Sequence, residues 1–90
     1  MTKNDYADII ILPAPNCRRS KKVLEFLETE RIPHQVIDLT SPQGIKLTHQ
    51  HHFLASPGIL INGSSINPYE ILNPEQCRVE RVKAINLFTK

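Results

Sequence analysis

Asp8-Ile9-Ile10-Ile11-Leu12-Pro13-Ala14-Pro15-Asn16-Cys17-Arg18-Arg19-Ser20 decides the fold class. Its first part is a β-branched run without polar interruption, the pattern of a strand buried on both faces in the middle of a sheet. Pro13 and Pro15 close the run, because proline lacks the backbone donor that a central strand needs. From Cys17 onward Val23, Leu24, Phe26 and Leu27 recur at helical spacing, and the pattern runs out around Glu30-Arg31-Ile32, before Pro33. The chain therefore reads strand, proline-flanked loop, helix, with a cysteine at the junction.

Working outward, His34-Gln35-Val36-Ile37-Asp38-Leu39 predicts a second strand, and Thr40-Ser41-Pro42 supplies a cap with proline at the first helical position. A second helix is expected from Pro42 to His52, ended by Ala55-Ser56-Pro57-Gly58. Ile59-Leu60-Ile61 predicts a third strand, Asn62-Gly63 a tight hairpin turn, and Ser65-Ile66-Asn67 the returning strand. Asn73-Pro74 repeats the cap-plus-proline signal, and Val79, Val82, Ile85 and Leu87 or Phe88 sketch the apolar face of a last helix. The order β-α-β-α-β-β-α is α/β, with parallel pairing expected where helices intervene and an antiparallel edge from the final hairpin.

A length of 90 residues suits a single domain spanning 1–90. With 40% hydrophobic and 22% charged residues the composition is that of an ordinary globular chain, and no apolar run is long enough for a membrane span. The opening Met1-Thr2-Lys3-Asn4-Asp5-Tyr6 has no signal-peptide pattern, so a cytoplasmic location is expected. Net charge is only +2, yet Arg18, Arg19, Lys21 and Lys22 crowd together after Cys17. With no Trp and few other aromatics to stack on bases, that cluster reads as a local site and not as a nucleic-acid surface.

Cysteine does nucleophilic redox chemistry as thiolate, and the start of a helix favours negative charge through its unpaired N–H groups and its dipole. Arg18 and Arg19 add to that field, so Cys17 is expected to have a lowered pKa and a reactive sulfur. Cys77 is read as a packed or capping cysteine in preference to a distant resolving partner, which would need close backbone approach to Cys17. His49, His51 and His52 cluster, with His49 and His52 sharing a helical face. Two imidazoles lack the further ligands a bound metal needs, so solvated histidines at a helix end are expected and no metal site. A phosphatase-type anion loop would want an arginine six residues after its cysteine, where this chain has Val23.

Between strand and helix, Pro15-Asn16-Cys17-Arg18-Arg19-Ser20 resembles the Pro-x-Cys-x-x-Cys/Ser junction of glutaredoxins and thioredoxin-like proteins. Ser56-Pro57-Gly58-Ile59-Leu60-Ile61-Asn62-Gly63 resembles the segment in which those families place a cis-proline, a strand and a hairpin. In element order the resemblance covers nearly the whole chain. It implies a thioredoxin-like (glutaredoxin-like) fold, β-α-β-α-β-β-α, with a four-stranded mixed sheet flanked by helices. It further implies a thiol–disulfide oxidoreductase with Cys17 as nucleophile, Ser56 and Pro57 shaping the groove for a thiol or disulfide substrate, and Arg18 and Arg19 attracting an acidic partner.

Ser20 stands where the second cysteine would be, which excludes a local dithiol cycle and leaves a monothiol mechanism in which Ser20 can donate a hydrogen bond to the thiolate. No cofactor is expected, with glutathione a candidate co-substrate. Two departures bear on that: Ser56 replaces the valine usual in glutaredoxins, and Asn67-Pro68-Tyr69-Glu70 replaces their glycine pair. Cys-Arg-Arg-Ser also departs from the Cys-Gly-Phe-Ser signature of cluster-carrying monothiol glutaredoxins, so no iron–sulfur cluster is expected. The competing reading is a non-catalytic thioredoxin-fold module that binds a protein through the same loop surface. An arsenate-reductase-like reductant is a lesser alternative, set back by the absence of longer helical insertions.

Overall fold

A computed structural model describes residues 7–53, 57–73, 75 and 78–89. Strand β1, Ile9–Leu12, is followed by helix α1, Arg18–Thr29, strand β2, Gln35–Val36, and helix α2, Pro42–His51. Strands β3, Gly58–Ile61, and β4, Ser64–Ile66, come next, then a 3-10 turn at Pro68–Glu70. The short strands β5, Leu72–Asn73, and β6, Arg78–Val79, precede helix α3, Arg81–Phe88.

Four strands form a mixed sheet in the order β2-β1-β3-β4. The run Ile9-Ile10-Ile11-Leu12 lies in its interior, parallel to β2 through Ile10↔Gln35 and Ile11↔Val36, and antiparallel to β3 through Ile9↔Ile61 to Leu12↔Gly58. The parallel expectation therefore holds for β1 and β2 but not for β3. The reason is topological: α2 leaves from the C-terminal end of β2, and the chain re-enters the sheet at the C-terminal end of β1, where Gly58 faces Leu12. A connection that starts and finishes at one end of a sheet must return the strand antiparallel.

The core lies on the sheet face that carries Ile9, Ile11, Ile59 and Ile61, under Val23 and Leu27 of α1 and Ala84 and Phe88 of α3. Each of the larger side chains in that set contributes on the order of 1.5–3 kcal/mol by leaving water. By strand alternation Leu12 and Leu60 face the other way and are also buried. On that side Gly58 lies so close to the Phe53 ring that a Cβ would sit 2.9 Å from it. The fold's beginning and end are tied together by a hydrogen bond from the Ala7 N–H to the Phe88 carbonyl, 2.7 Å.

Local signals account for the boundaries. The Ser41 hydroxyl accepts from the Gly44 N–H at 3.0 Å, with Pro42 opening α2, and Asn62 and Gly63 take φ of 52° and 83° in the hairpin turn. His52, at φ 52°, caps α2 in the left-handed conformation, so it leaves the helix and does not share a helical face with His49. The Asn73-Pro74 signal does not start a helix: the Asn73 side-chain oxygen accepts from the Glu75 N–H at 2.9 Å in a turn between β5 and β6. Val79 consequently lies in a strand and Val82 is 71% exposed, while Ala84 and Phe88 form the buried face of α3. Ser56, Pro74 and Cys77 lie outside the described residues.

Gly44 is a close-approach position, since a Cβ there would come within 2.9 Å of the Leu39 Cα and closer still to the Asp38 carbonyl. Gly44→Ala is expected to destabilise the fold by about 2 kcal/mol through overpacking against backbone that cannot swing aside, measured by denaturant unfolding. Helices α1 and α3 are pinned by the ion pair between Arg81 Nε and Glu30 Oε2 at 2.9 Å. The Arg81 hydrogen bond, helped by its charge, holds the Glu30 carboxyl below its ordinary value, and the Thr40 N–H and hydroxyl do the same for Asp38. Depressed carboxyl pKa values stabilise the folded state above the ordinary carboxylate range and lose that contribution as pH falls through their folded values. Arg81→Ala is expected to return Glu30 toward its ordinary value in an NMR titration while leaving Asp38 unchanged.

Candidate functional site

Pro13 ends β1 at the rim of the sheet, and the chain swings out through Ala14, Pro15 and Asn16, with Asn16 at φ 57°. A left-handed residue reverses direction sharply, and asparagine tolerates it better than most. Cys17 then becomes the N-cap of α1 with an extended backbone, φ −98° and ψ 119°, and its side chain makes no capping hydrogen bond to the helix. No acidic residue occupies the first turn, so the positive end of the helix dipole is not offset there by a carboxylate. Cys17 is half-buried and lines a cleft of about 520 Å³.

Pro13, Ala14, Asn16, Arg18, Ser20, Lys21 and Leu24 form the rest of that cleft among the described residues. It is the size of a pocket that takes small organic groups or a few residues, roughly 300–1,000 Å³. Apolar groups from the loop and from Leu24 stand beside the exposed cations Arg18 and Lys21, and no described carboxylate lines it. The sequence reading places Lys21 in the basic cluster but gives the substrate-attracting role to Arg18 and Arg19; a position three residues after Arg18 puts Lys21 on the same helical face.

Ser20 is 2% exposed, and its Oγ accepts a hydrogen bond of 3.1 Å from the Ala14 N–H. The residue standing in the second-cysteine position thus ties the first turn of α1 back to the loop that presents Cys17. A hydroxyl that accepts one hydrogen bond still carries a proton to donate. Arg19 turns away from Arg18: its guanidinium lies over the Tyr69 ring, 5.5 Å from the centroid, and so joins α1 to the 3-10 turn. That turn is the segment Asn67-Pro68-Tyr69-Glu70, closed by a capping box in which Asn67 and Glu70 satisfy each other's backbone N–H groups.

Pro57 is fully buried immediately before β3. Register carries it to the same end of the sheet as the cysteine loop, since the next residue, Gly58, pairs with Leu12. Pro57 does not itself line the cleft around Cys17. The histidines lie elsewhere: His49 and His51 are in the last turn of α2, and the His51 ring stacks on Phe53 at a centroid distance of 6.0 Å. Among the described residues no helix is long and apolar enough to cross a membrane.

No family model matches the chain, and no curated protein matches it. Solved structures do. The thioredoxin-like protein BC3987, in a mutant form, matches with a TM-score of 0.65 at 17% identity over 89% of this chain and 92% of that one. Its unmutated form matches with a TM-score of 0.60 at 19% identity, covering 78% of this chain and 99% of that one. Actin interacting protein 5 matches with a TM-score of 0.56 at 19% identity over 92% of this chain and 95% of that one. With its mixed sheet and, among the described residues, three α-helices, this chain has the thioredoxin-like fold.

Proposed function

We propose that this thioredoxin-fold protein exchanges thiols and disulfides by a monothiol mechanism through Cys17. The observation that carries the reading is the placement of a half-buried cysteine at the N-cap of α1, in a cleft that also carries Arg18 and Lys21 and no described carboxylate. Such an environment favours thiolate over thiol and supports a lowered Cys17 pKa.

In this scheme the Cys17 thiolate attacks one sulfur of a substrate disulfide. The substrate's S–S bond breaks, its second sulfur leaves with the electron pair and takes up a proton, and Cys17 holds the first half as a mixed disulfide. A second thiol, glutathione or another of its class, attacks the substrate sulfur in that bond and returns Cys17 as thiolate. This two-step exchange releases the second substrate half as a thiol and leaves the first half joined to the incoming sulfur; a further equivalent of the same thiol reduces that disulfide, so two incoming thiols are oxidised for each substrate disulfide reduced. Ser20 fixes the loop by accepting from the Ala14 N–H, and in this scheme its remaining hydroxyl proton is donated to the Cys17 sulfur. Pro57, buried just before β3 at the same end of the sheet as the cysteine loop, is assigned with Ser56 to shaping the substrate groove in this scheme. The competing reading, a non-catalytic module that binds a protein through the same loop, requires the same fold but an inert Cys17.

Two measurements test this reading. Intact-mass analysis after incubation with oxidised glutathione is expected to show one reversible glutathione adduct on the parent protein and on Cys77→Ser, and none at the same rate on Cys17→Ser. Alkylation of Cys17 by iodoacetamide is expected to rise with pH around a midpoint below the roughly 8.5 of an ordinary thiol. An unmodified Cys17 at neutral pH favours the binding module. Ser20→Ala leaves the part-buried Ala14 N–H without its acceptor and is expected to cost about 1 kcal/mol in denaturant unfolding. It is also expected to raise the alkylation midpoint of Cys17, which a loss of stability alone would not do.

A further inference from the structure

The geometry points to an acidic peptide segment carrying a disulfide as the preferred partner of the cleft, selected by Arg18 and Lys21. This rests on the thiol-exchange reading of Cys17 and adds the substrate class and the residues that choose it. Sequence order alone pairs Arg18 with Arg19, its neighbour. Helical geometry separates them: Arg18 and Lys21, three residues apart, stand on the wall of the cleft, whereas the Arg19 guanidinium is drawn over Tyr69. Lys22 is likewise exposed and carries the same charge, yet it does not line the cleft.

No described carboxylate pairs with Arg18 or Lys21, and the same cleft is lined by the apolar groups of Pro13, Ala14 and Leu24. Two cations beside a low-dielectric wall concentrate positive potential at the sulfur more than a net charge of +2 spread over the surface would. A segment with Asp or Glu on either side of its disulfide gains by entering, and one flanked by Lys or Arg is repelled before the sulfurs meet. Such selection appears in the rate of mixed-disulfide formation and weakens with salt.

The test uses peptides whose single cysteine is activated as a 2-pyridyl disulfide and flanked by Glu, Ser or Lys, reacted with the Cys77→Ser protein. The Cys17 thiolate attacks the peptide sulfur, the bond to the pyridyl sulfur breaks, and the released pyridinethione is read by its absorbance. At low ionic strength the Glu peptide is expected to react about tenfold faster than the Lys peptide, with the Ser peptide between them. The difference should shrink severalfold at high salt. Lys21→Glu and Arg18→Glu are each expected to erase most of the preference, and Lys22→Glu, the same charge change one residue on, to leave most of it. Equal rates with the three peptides, or a Lys22→Glu effect as large as that of Lys21→Glu, overturns the assignment while leaving thiol exchange standing. If none of the peptides reacts with protein shown to be folded by circular dichroism, thiol exchange falls and this assignment with it.

Discussion

Strand β1 is paired along both edges, and its Ile11 and Leu12 are shielded from solvent on both faces of the sheet. A strand in that position has no latitude: its donors and acceptors are committed to β2 and β3, and its side chains fill space on two sides. The chain can therefore leave the sheet only where pairing stops, and Pro13 sets that point because proline has no N–H to offer a neighbouring strand. Everything at the candidate site hangs from this exit. The loop from Ala14 to Asn16 is too short to wander, so Cys17 arrives at the head of α1 as a consequence of where β1 ends.

Burial and hydrogen bonding then divide the labour within one helical turn. Ser20 faces inward and holds the loop, Arg18 and Lys21 face the cleft, and Arg19 is engaged by Tyr69. The first turn is thus coupled to two separate parts of the chain, the outgoing loop through Ala14 and the 3-10 turn through Tyr69. A helix start anchored at two points can hold the Cys17 side chain in place without enclosing it, as the thiol-exchange reading proposed above requires.

Sequence alone made much of this legible because its strongest signals were local. The uninterrupted Ile9–Leu12 run, the Ser41-Pro42 cap and the Asn62-Gly63 turn each act within a few residues, and all appear where expected. The failures are non-local. The direction of β3 depends on which end of the sheet the chain returns to after α2, and no residue pattern encodes that. Asn73-Pro74 misled because an asparagine followed by proline caps helices and also makes turns; pairing between Leu72 and Val79 decided between the two. At the site, proximity in sequence favoured Arg18 with Arg19, whereas the angular spacing of the helix, which was available from sequence, gives Arg18 with Lys21.

The hydrogen bond between Ala7 and Phe88 joins the two ends of the fold at the end of the sheet opposite the cysteine loop, since Ala7 precedes the start of β1 and Cys17 follows its finish. Such a closed path makes the fold a cassette. A tether, a fusion or an immobilising surface attached at either end leaves the Cys17 cleft pointing outward, and a host loop that brings its two arms close together can carry the whole unit without stretching it. Opening the chain at the exposed Asn62-Gly63 turn would remove the covalent link between β3 and β4 and leave every described strand pairing in place, Ile59↔Ile66 to Ile61↔Ser64 included.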